Sequence, residues 1–523
     1  MSNSATSTYE TERKYEIADA AALPDPAGLA GLDSGAGARE QQMAAVYFDT
    51  EDLGLLRAGV TLRRREGGNN EGWHLKLPAG RVGEDTREEI RLPLGRAGRT
   101  PPAELVGLTR LYSRGAALAP VAELTTHRRR WVYADGRGRE LAELVEDEVD
   151  AHTMGSETSA MSWREVEVEL AEHGRVKLLD RIERELLRGG AHRSRSGSKL
   201  GRVLADRLTA APAGGAASDG GAAKGPVKAG SAGAELLAYL AAQADQLRAQ
   251  DPLVRRDAPD AVHKMRVAAR RMRSALQAYR RVLDRSVTDG LVDELKWLGG
   301  ELSEARDSEV IEERLVDVVG SLPDELVLGP VSAQVTRALQ RRRATGREQA
   351  TAALDSDRYL ALHDTIDRLL ADPPLTGWAG RPARSELPRG VARAWRRTVK
   401  RMRAAQRTEP GPGRDTALHE TRKAAKRLRY AVEVAAPSVG KPARRLKRRL
   451  KGLHTVLGAH QDAVVARPVI RELATTARYE GGNGFTYGVL HGREHGRADR
   501  AERRVGPAWQ RVRRAKNVKW VRS

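Results

Sequence analysis

Along the first two hundred residues apolar and polar positions alternate in short runs bounded by Gly, Pro, Asp and Asn. The runs cover 8–17, 43–48, 59–66, 72–77, 86–92, 124–134, 139–146 and 163–170. A period of two places successive side chains on opposite faces, so these segments predict strands of an antiparallel, β-rich domain, followed by a helix over 175–188. Beyond residue 233 the apolar spacing changes to three and four. It predicts long amphipathic helices over 234–250, 259–284, 290–320, 331–354, 388–407, 415–435, 441–479 and 486–514, with no competing strand pattern. Between the two parts runs APAGGAASDGGAAKGPVKAGSAG, a Gly/Ala stretch without periodicity. The expected organisation is an α+β multidomain chain: a β domain over 6–208, a flexible linker over 209–232, and a helical bundle over 233–523.

The polar faces of the predicted strands carry charge. Glu10, Glu12 and Lys14 share one face, as do Arg63 and Arg65, His74 and Lys76, Arg128 and Arg130, and Glu165, Glu167 and Glu169. Solvated outer faces with cross-strand ion pairs would account for each pair taken alone. The alternative is a closed barrel whose lumen is lined by charge. Carboxylates there would hold Mg²⁺ or Mn²⁺, and cations would neutralise phosphate oxygens.

The helical part contains a duplicated motif. VHKMRVAARRMR (262–273) and LHETRKAAKRLR (418–429) share H-x-x-R-x-x-x-[RK]-R-x-R, with histidines 156 residues apart. Each copy sets one histidine and three cations on one helical stripe: His263, Arg266, Arg270 and Arg273, then His419, Arg422, Lys426 and Arg429. Beside each stripe runs an apolar seam, Val262, Met265, Ala269, Met272 in one copy and Leu418, Thr421, Ala425, Leu428 in the other. Leu298, Leu302 and Asp307 correspond to Leu453, Leu457 and Asp462. The spacing predicts an internal pseudo-two-fold repeat whose two stripes form the walls of one polyanion site.

Composition narrows the ligand. The chain has 523 residues and a net charge of +21, and its first 210 residues carry a small acidic excess, so the whole positive balance lies downstream. A basic domain attracts polyanions. Aromatic residues are only 4% of the chain, with two Phe, which leaves few platforms for stacked bases and argues against nucleic acid. Cysteine is absent, so thiolate metal sites are excluded. No apolar run approaches a membrane span, and the N-terminal residues do not read as a secretory signal. The expected location is the cytoplasm.

The ExExK of Glu10–Lys14, the later basic pairs, the ExE strand and SGSKLGR with Lys199 resemble the CYTH family, the triphosphate tunnel enzymes, over roughly residues 6–208. The two His–Arg motifs resemble the CHAD domain, a helical binder of inorganic polyphosphate, over about 233–523. The first resemblance implies an eight-stranded antiparallel β-barrel. In it Glu10, Glu12 and Lys14 would form the catalytic set. Lys14, Arg63, Arg65, Lys76, Arg128, Arg130 and Lys199 would contact phosphate, with Arg128 and Arg130 as alternatives. Glu10, Glu12, Asp147, Glu165 and Glu167 would lie on the metal side, with the choice among Glu165, Glu167 and Glu169 open and Glu88 or Glu89 as further lumen candidates. The second resemblance implies that the eight motif residues contact polyphosphate, while Arg271 and Arg427 turn to a neighbouring face.

The resulting expectation is a metal-dependent hydrolase of inorganic triphosphate or polyphosphate joined to a polyphosphate-binding domain. Two other readings stay open: a granule-associated polyphosphate binder with a silent barrel, and a nucleic-acid binder. Adenylate cyclase chemistry is also known on CYTH barrels, but no base-recognition feature favours it here. Protonation of His263 and His419 beside a polyanion predicts stronger binding as pH falls through the range near 6.5.

Overall fold

The computed structural model describes residues 6–18, 23–24, 29, 38–78, 85–95, 98–155, 158–209 and 227–522. They belong to two compact units, up to residue 221 and from 222 onward. Most of the 209–232 stretch lies outside the described residues.

The first unit is built on eight antiparallel strands: β1 (Thr6–Glu16), β2 (Arg39–Asp49), β3 (Thr61–Glu66), β4 (Gly72–Pro78), β5 (Thr86–Leu92), β6 (Ala119–Ala134), β7 (Glu140–Thr153) and β8 (Ala160–Leu170). Their order is β5-β4-β3-β2-β6-β7-β8-β1, and β1 pairs back onto β5 from Thr6↔Arg91 to Thr11↔Thr86, so the sheet closes into a barrel. A two-residue strand, β9 (His192–Arg193), adds to β1. Closure leaves no long edge for another chain to pair with.

The apolar faces of these strands point away from the lumen and are covered by helices. Helices α1 (Gly54–Arg57) and α2 (Ala103–Ser113) contribute Leu55, Leu105 and Leu108 to a cluster with Leu62, Trp73, Leu75 and Ile90. Helix α3 (Val176–Arg188) packs Leu179, Ile182 and Leu186 against Tyr15, Tyr133, Leu144, Val166 and Val168. Helix α4 (Lys199–Val203), with Leu204 after it, places Leu200 and Val203 against Leu124, Val149 and Trp163; α5 (Ala205–Thr209) follows. With the apolar faces covered outside, the alternate positions must face inward. The charged faces are therefore the lumen and not a solvated exterior.

The second unit is helical: α6 (Ala232–Arg255), α7 (Ala261–Ala278), α8 (Arg285–Glu301), α9 (Ser303–Gly320), α10 (Val331–Asp355), α11 (Asp357–Ala371), α12 (Ala383–Arg407), α13 (Pro412–Val439), α14 (Lys441–Tyr479), α15 (Phe485–Arg513) and α16 (Ala515–Arg522). Both motif helices, α7 and α13, bury their apolar seams: Met265, Ala269 and Met272 on one, Leu418, Ala425 and Leu428 on the other. The segment after the first motif divides into α8 and α9 at Leu302, whereas its counterpart after the second is one 39-residue helix, α14. Helices α2, α11 and α16 and the short α1, α4 and α5 have no counterpart in the sequence expectation, although α11 carries Leu362, Ile366 and Leu369 on its buried side.

Candidate functional site

The barrel encloses a cavity of about 410 Å³. Nine cations line it: Lys14, Arg63, Arg65, Lys76, Arg87, Arg91, Arg128, Arg130 and Lys199. Six carboxylates face them: Glu10, Glu12, Glu89, Glu143, Glu167 and Glu169. Cations outnumber carboxylates on this lining, with Asp147 and Glu165 behind it balancing Lys199.

The charges are sorted along the wall. Glu10 accepts from Arg91 at 2.7 Å and pairs with Lys76 at 2.8 Å. Glu89, almost fully buried, is held by His74 at 3.1 Å, by Arg63 at 3.8 Å and by Arg91. His74 is thereby a buried positioning group. Burial, above all, drives it down to about 4, so it is neutral at pH 7. Arg65 has no carboxylate partner among the described residues and donates twice to the Asn70 carbonyl oxygen, at 3.0 and 2.7 Å. Burial, then repulsion from Arg63 and Arg128, lowers it to about 9. An arriving anion would offset both effects by favouring the charged form.

At one end the Lys199 ammonium sits among Asp147 (2.8 Å), Glu165 (2.6 Å) and Glu167 (2.7 Å). Arg128 binds both oxygens of Asp147 at 2.7 Å, a bidentate pair. Lys14 also pairs with Glu167. Burial opposes ionisation of Asp147, but Lys199 and Arg128 outweigh it and hold the carboxyl below the usual range.

Further along, the carboxylates are crowded against one another. Glu169 faces Glu12 across the β1–β8 ladder and Glu143 across the β7–β8 ladder. Glu143 pairs with Arg130 at 2.6 Å and Glu12 with Lys14 at 3.3 Å. Glu169 has no ion-pair partner among the described residues. Burial, then the charge of Glu10, raises it to about 8, with Lys76 opposing.

In the helical unit the two motif stripes meet. Arg270 of α7 donates to the Tyr430 hydroxyl of α13 at 3.2 Å. Lys426 of α13 is lowered to about 7, by burial and then by Arg270 and Arg422. Arg266 pairs with Asp307 of α9 at 3.4 Å, and Arg422 with Asp462 of α14 at 3.7 Å. His419 shares a 2.7 Å hydrogen bond with Gln461. His263 is lowered to about 4 by burial and by Arg306 and Arg270. Cations from both copies thus share one electrostatic neighbourhood and repel one another there.

The CYTH domain family matches residues 8–197, and the CHAD domain family matches residues 238–471. The chain belongs to the CYTH–CHAD proteins. The uncharacterized protein Rv2226 of Mycobacterium tuberculosis is 35% identical over 522 residues, 97% of this chain and 96% of that protein. Among solved structures, PptA from Streptomyces chartreusis is 26% identical with a TM-score of 0.46, covering 54% of this chain and 99% of its own. The CHAD domain from the plant Ricinus communis is 23% identical with a TM-score of 0.39, covering 56% and 92%.

In the CYTH domain, Glu10, Glu12, Lys14, Arg63, Arg65, Lys76, Arg128, Arg130 and Lys199 all line the cavity, so Arg128 and Arg130 are not alternatives. Of the β8 carboxylates, Glu167 and Glu169 line it. Asp147 and Glu165 sit behind Lys199, fully or nearly buried, and the Trp163 indole N–H donates to Glu165 at 2.7 Å. Asp147, Glu165 and Glu167 each bring an oxygen within 4.8 Å of the others, close enough to share a cation. The cation in place is Lys199. Glu89 faces the cavity, while Glu88 accepts from Ser7 at 2.6 Å and is not among the lining residues.

The sequence reading missed Arg87, Arg91 and Glu143. The signal for the first two was present: Arg87, Glu89 and Arg91 of TREEIRL alternate on one face, as the recognised pairs do. Glu143 shares a face with Asp147 four residues on. In the CHAD domain it missed His454 of α14, which is pushed to about 3 by burial and then by Lys426, Arg429, Arg422 and Arg270. Its place in the cationic cluster depends on helix packing, and no spacing announces it. Arg271 turns aside as expected, toward Glu433 at 3.3 Å.

Proposed function

We propose that the CYTH barrel hydrolyses phosphoanhydride bonds of inorganic triphosphate or polyphosphate with a divalent metal, and that the CHAD domain binds polyphosphate. The observation that carries the reading is the excess of cations over carboxylates inside a closed barrel. An enclosed surplus of positive charge is costly unless an anion neutralises it, and a linear triphosphate offers many oxygens to Arg and Lys donors.

Arg65, Arg63 and Arg128 supply donors that would hold the phosphate chain in one register. Lys14 and Lys76, each beside an ExExK carboxylate, would neutralise charge that gathers on the leaving phosphate as the P–O bond to it breaks and water bonds to phosphorus. Positioning and charge stabilisation are the main demands of phosphoryl transfer. Glu10, Glu12 and Glu169 would hold Mg²⁺ or Mn²⁺. Asp147, Glu165 and Glu167 bring oxygens close enough to share a cation if Lys199 gives way, and the unpaired Glu169 beside Glu12 offers a second position for a hard cation. When bound, the metal supplies charge to the phosphate oxygens and orients water.

In the CHAD domain the matched contacts Arg266–Asp307 and Arg422–Asp462 support reading the motifs as two copies of one unit. No helix of the described residues is long and apolar enough to cross a membrane. We place the protein in the cytoplasm, where polyphosphate would be its partner. Phosphate release from tripolyphosphate, with and without Mg²⁺ or Mn²⁺, tests the proposal. Metal-dependent release lost in Glu10→Ala and Glu12→Ala supports the hydrolase. Its absence in the unaltered protein leaves a binding protein with a silent barrel.

A further inference from the structure

The helical unit holds a second cationic cleft that shares no lining residue with the two motif stripes. It has a volume of about 980 Å³ and is bordered by α12, the α13–α14 junction and α16. Arg281, Arg384, Arg389, Arg393 and Arg396 line it. The neighbouring acid, Glu386, is spoken for by Arg389 at 3.6 Å. Arg384 and Arg396 are exposed and have no acidic partner among the described residues. Burial and then repulsion from Arg280 and Arg281 lower Arg393 from the usual arginine range, a sign that the cluster lacks counter-charge.

The rest of the wall sets this cleft apart from the tunnel. Pro388, Trp395, Val439, Pro442, Trp520 and Val521 give it an apolar side, whereas Met43 is the one aliphatic side chain of the tunnel lining. A bare phosphate chain gains nothing from such a surface. Trp395 is fixed as wall by stacking on Trp509, with ring centroids 5.4 Å apart and planes at 24°. Trp520 is half-buried at the cleft, and its indole N–H is bonded to the Asn517 carbonyl, which orients the ring. Arg281 lies 3.7 Å over the Trp378 ring, which fixes its guanidinium plane. The cleft, with a cationic end and an apolar, aromatic end, is of a size for a small ligand that is anionic at one end and aromatic at the other.

We propose that this cleft binds a nucleoside triphosphate, with its phosphates on Arg389, Arg393 and Arg396 and its base against Trp520. This goes beyond the polyphosphate reading, since it assigns a different ligand to residues outside the motifs.

The test uses the full chain in EDTA, saturated with tripolyphosphate and then titrated calorimetrically with ATP. Tripolyphosphate fills the sites that recognise phosphate alone and competes for the cleft's arginines, so ATP must displace it there through its nucleoside. The expected result is one ATP site, weakened about a hundredfold or more in Arg389→Ala/Arg396→Ala, about tenfold for each charge-assisted hydrogen bond removed. Both arginines are exposed, and Arg396→Ala alone, which keeps the Arg389–Glu386 pair, separates loss of the ligand from loss of that contact. Trp520→Ala is the second variant and should weaken ATP while leaving tripolyphosphate binding unchanged. No ATP binding above saturating tripolyphosphate overturns the proposal, as does ATP binding that neither variant changes. So does an adenine oligonucleotide that outcompetes ATP at the cleft, which would mark a nucleic-acid surface. Metal-dependent phosphate release, measured separately, reports the barrel and should be the same in both variants.

Discussion

Glu12 of β1 and Glu169 of β8 stand directly opposite each other across the barrel wall. Like charges in that relationship weaken a sheet. The crowding is eased when Glu169, raised to about 8, keeps its proton. A divalent cation held by Glu10, Glu12 and Glu169 must displace that proton. Metal affinity should therefore rise up to about tenfold per pH unit as pH approaches 8 from below, then level off. Glu169→Gln should remove the slope. Calorimetric titration with Mn²⁺ between about pH 6 and 9 checks this, and a flat profile in the unaltered protein would exclude Glu169 as a ligand.

Lys199 balances three buried carboxylates at once. Lys199→Met should leave Asp147, Glu165 and Glu167 with Arg128 and Lys14 alone, and cost roughly 3–5 kcal/mol of stability. Adding Asp147→Asn should recover part of the loss. Denaturant unfolding of the single and double variants measures both steps.

Polyphosphate binding should respond to pH through Lys426. In the unliganded domain this lysine lies at about 7. A polyanion favours its charged form and raises its pKa in the complex. Below pH 7 it is already protonated, so Lys426 adds no slope there. Above about 7 binding must take up a proton, and affinity should fall by up to tenfold per unit. His263 at about 4 and His454 at about 3 are neutral in the unliganded domain above roughly pH 5.5, and each adds a slope there only as far as the polyanion raises it in the complex. Burial among arginines thus lowers the starting value of His263 to about 4, below the ordinary range near 6.5. Lys426→Arg should flatten the profile in a binding assay with long polyphosphate.

The 209–232 stretch should act as a tether. A polyphosphate held by the CHAD domain would be presented to the barrel at high effective concentration. Supplying the two halves as separate chains should slow phosphate release from long polyphosphate and leave tripolyphosphate turnover unchanged. Equal rates on long chains would count against the coupling.

Much of the site could be read from local spacing. Glu10, Glu12 and Lys14, or Arg63 and Arg65, share a face because a strand repeats every two residues, whatever surrounds it. The same rule covered Arg87, Glu89 and Arg91, yet only Glu89 was drawn from it, as one of two candidates. Helix α11 was likewise legible, with Ser356 accepting from the Tyr359 amide as an N-cap ahead of a buried apolar face. Neither omission reflects a limit of the sequence.

What the sequence determined by itself is what period and composition control: a β-rich part followed by a helical part, charged strand faces, and two His–Arg stripes beside apolar seams. The tertiary structure decided which way those faces turn and what they meet. Helices α1 to α4 cover the outer apolar faces and force the charges inward. Lys199, 52 residues after Asp147 in the chain, fills the acidic group by packing. Arg270 and Lys426 come together because α7 and α13 dock. Burial and the nearness of like charges then set their proton affinities, and both arise only when distant segments come together.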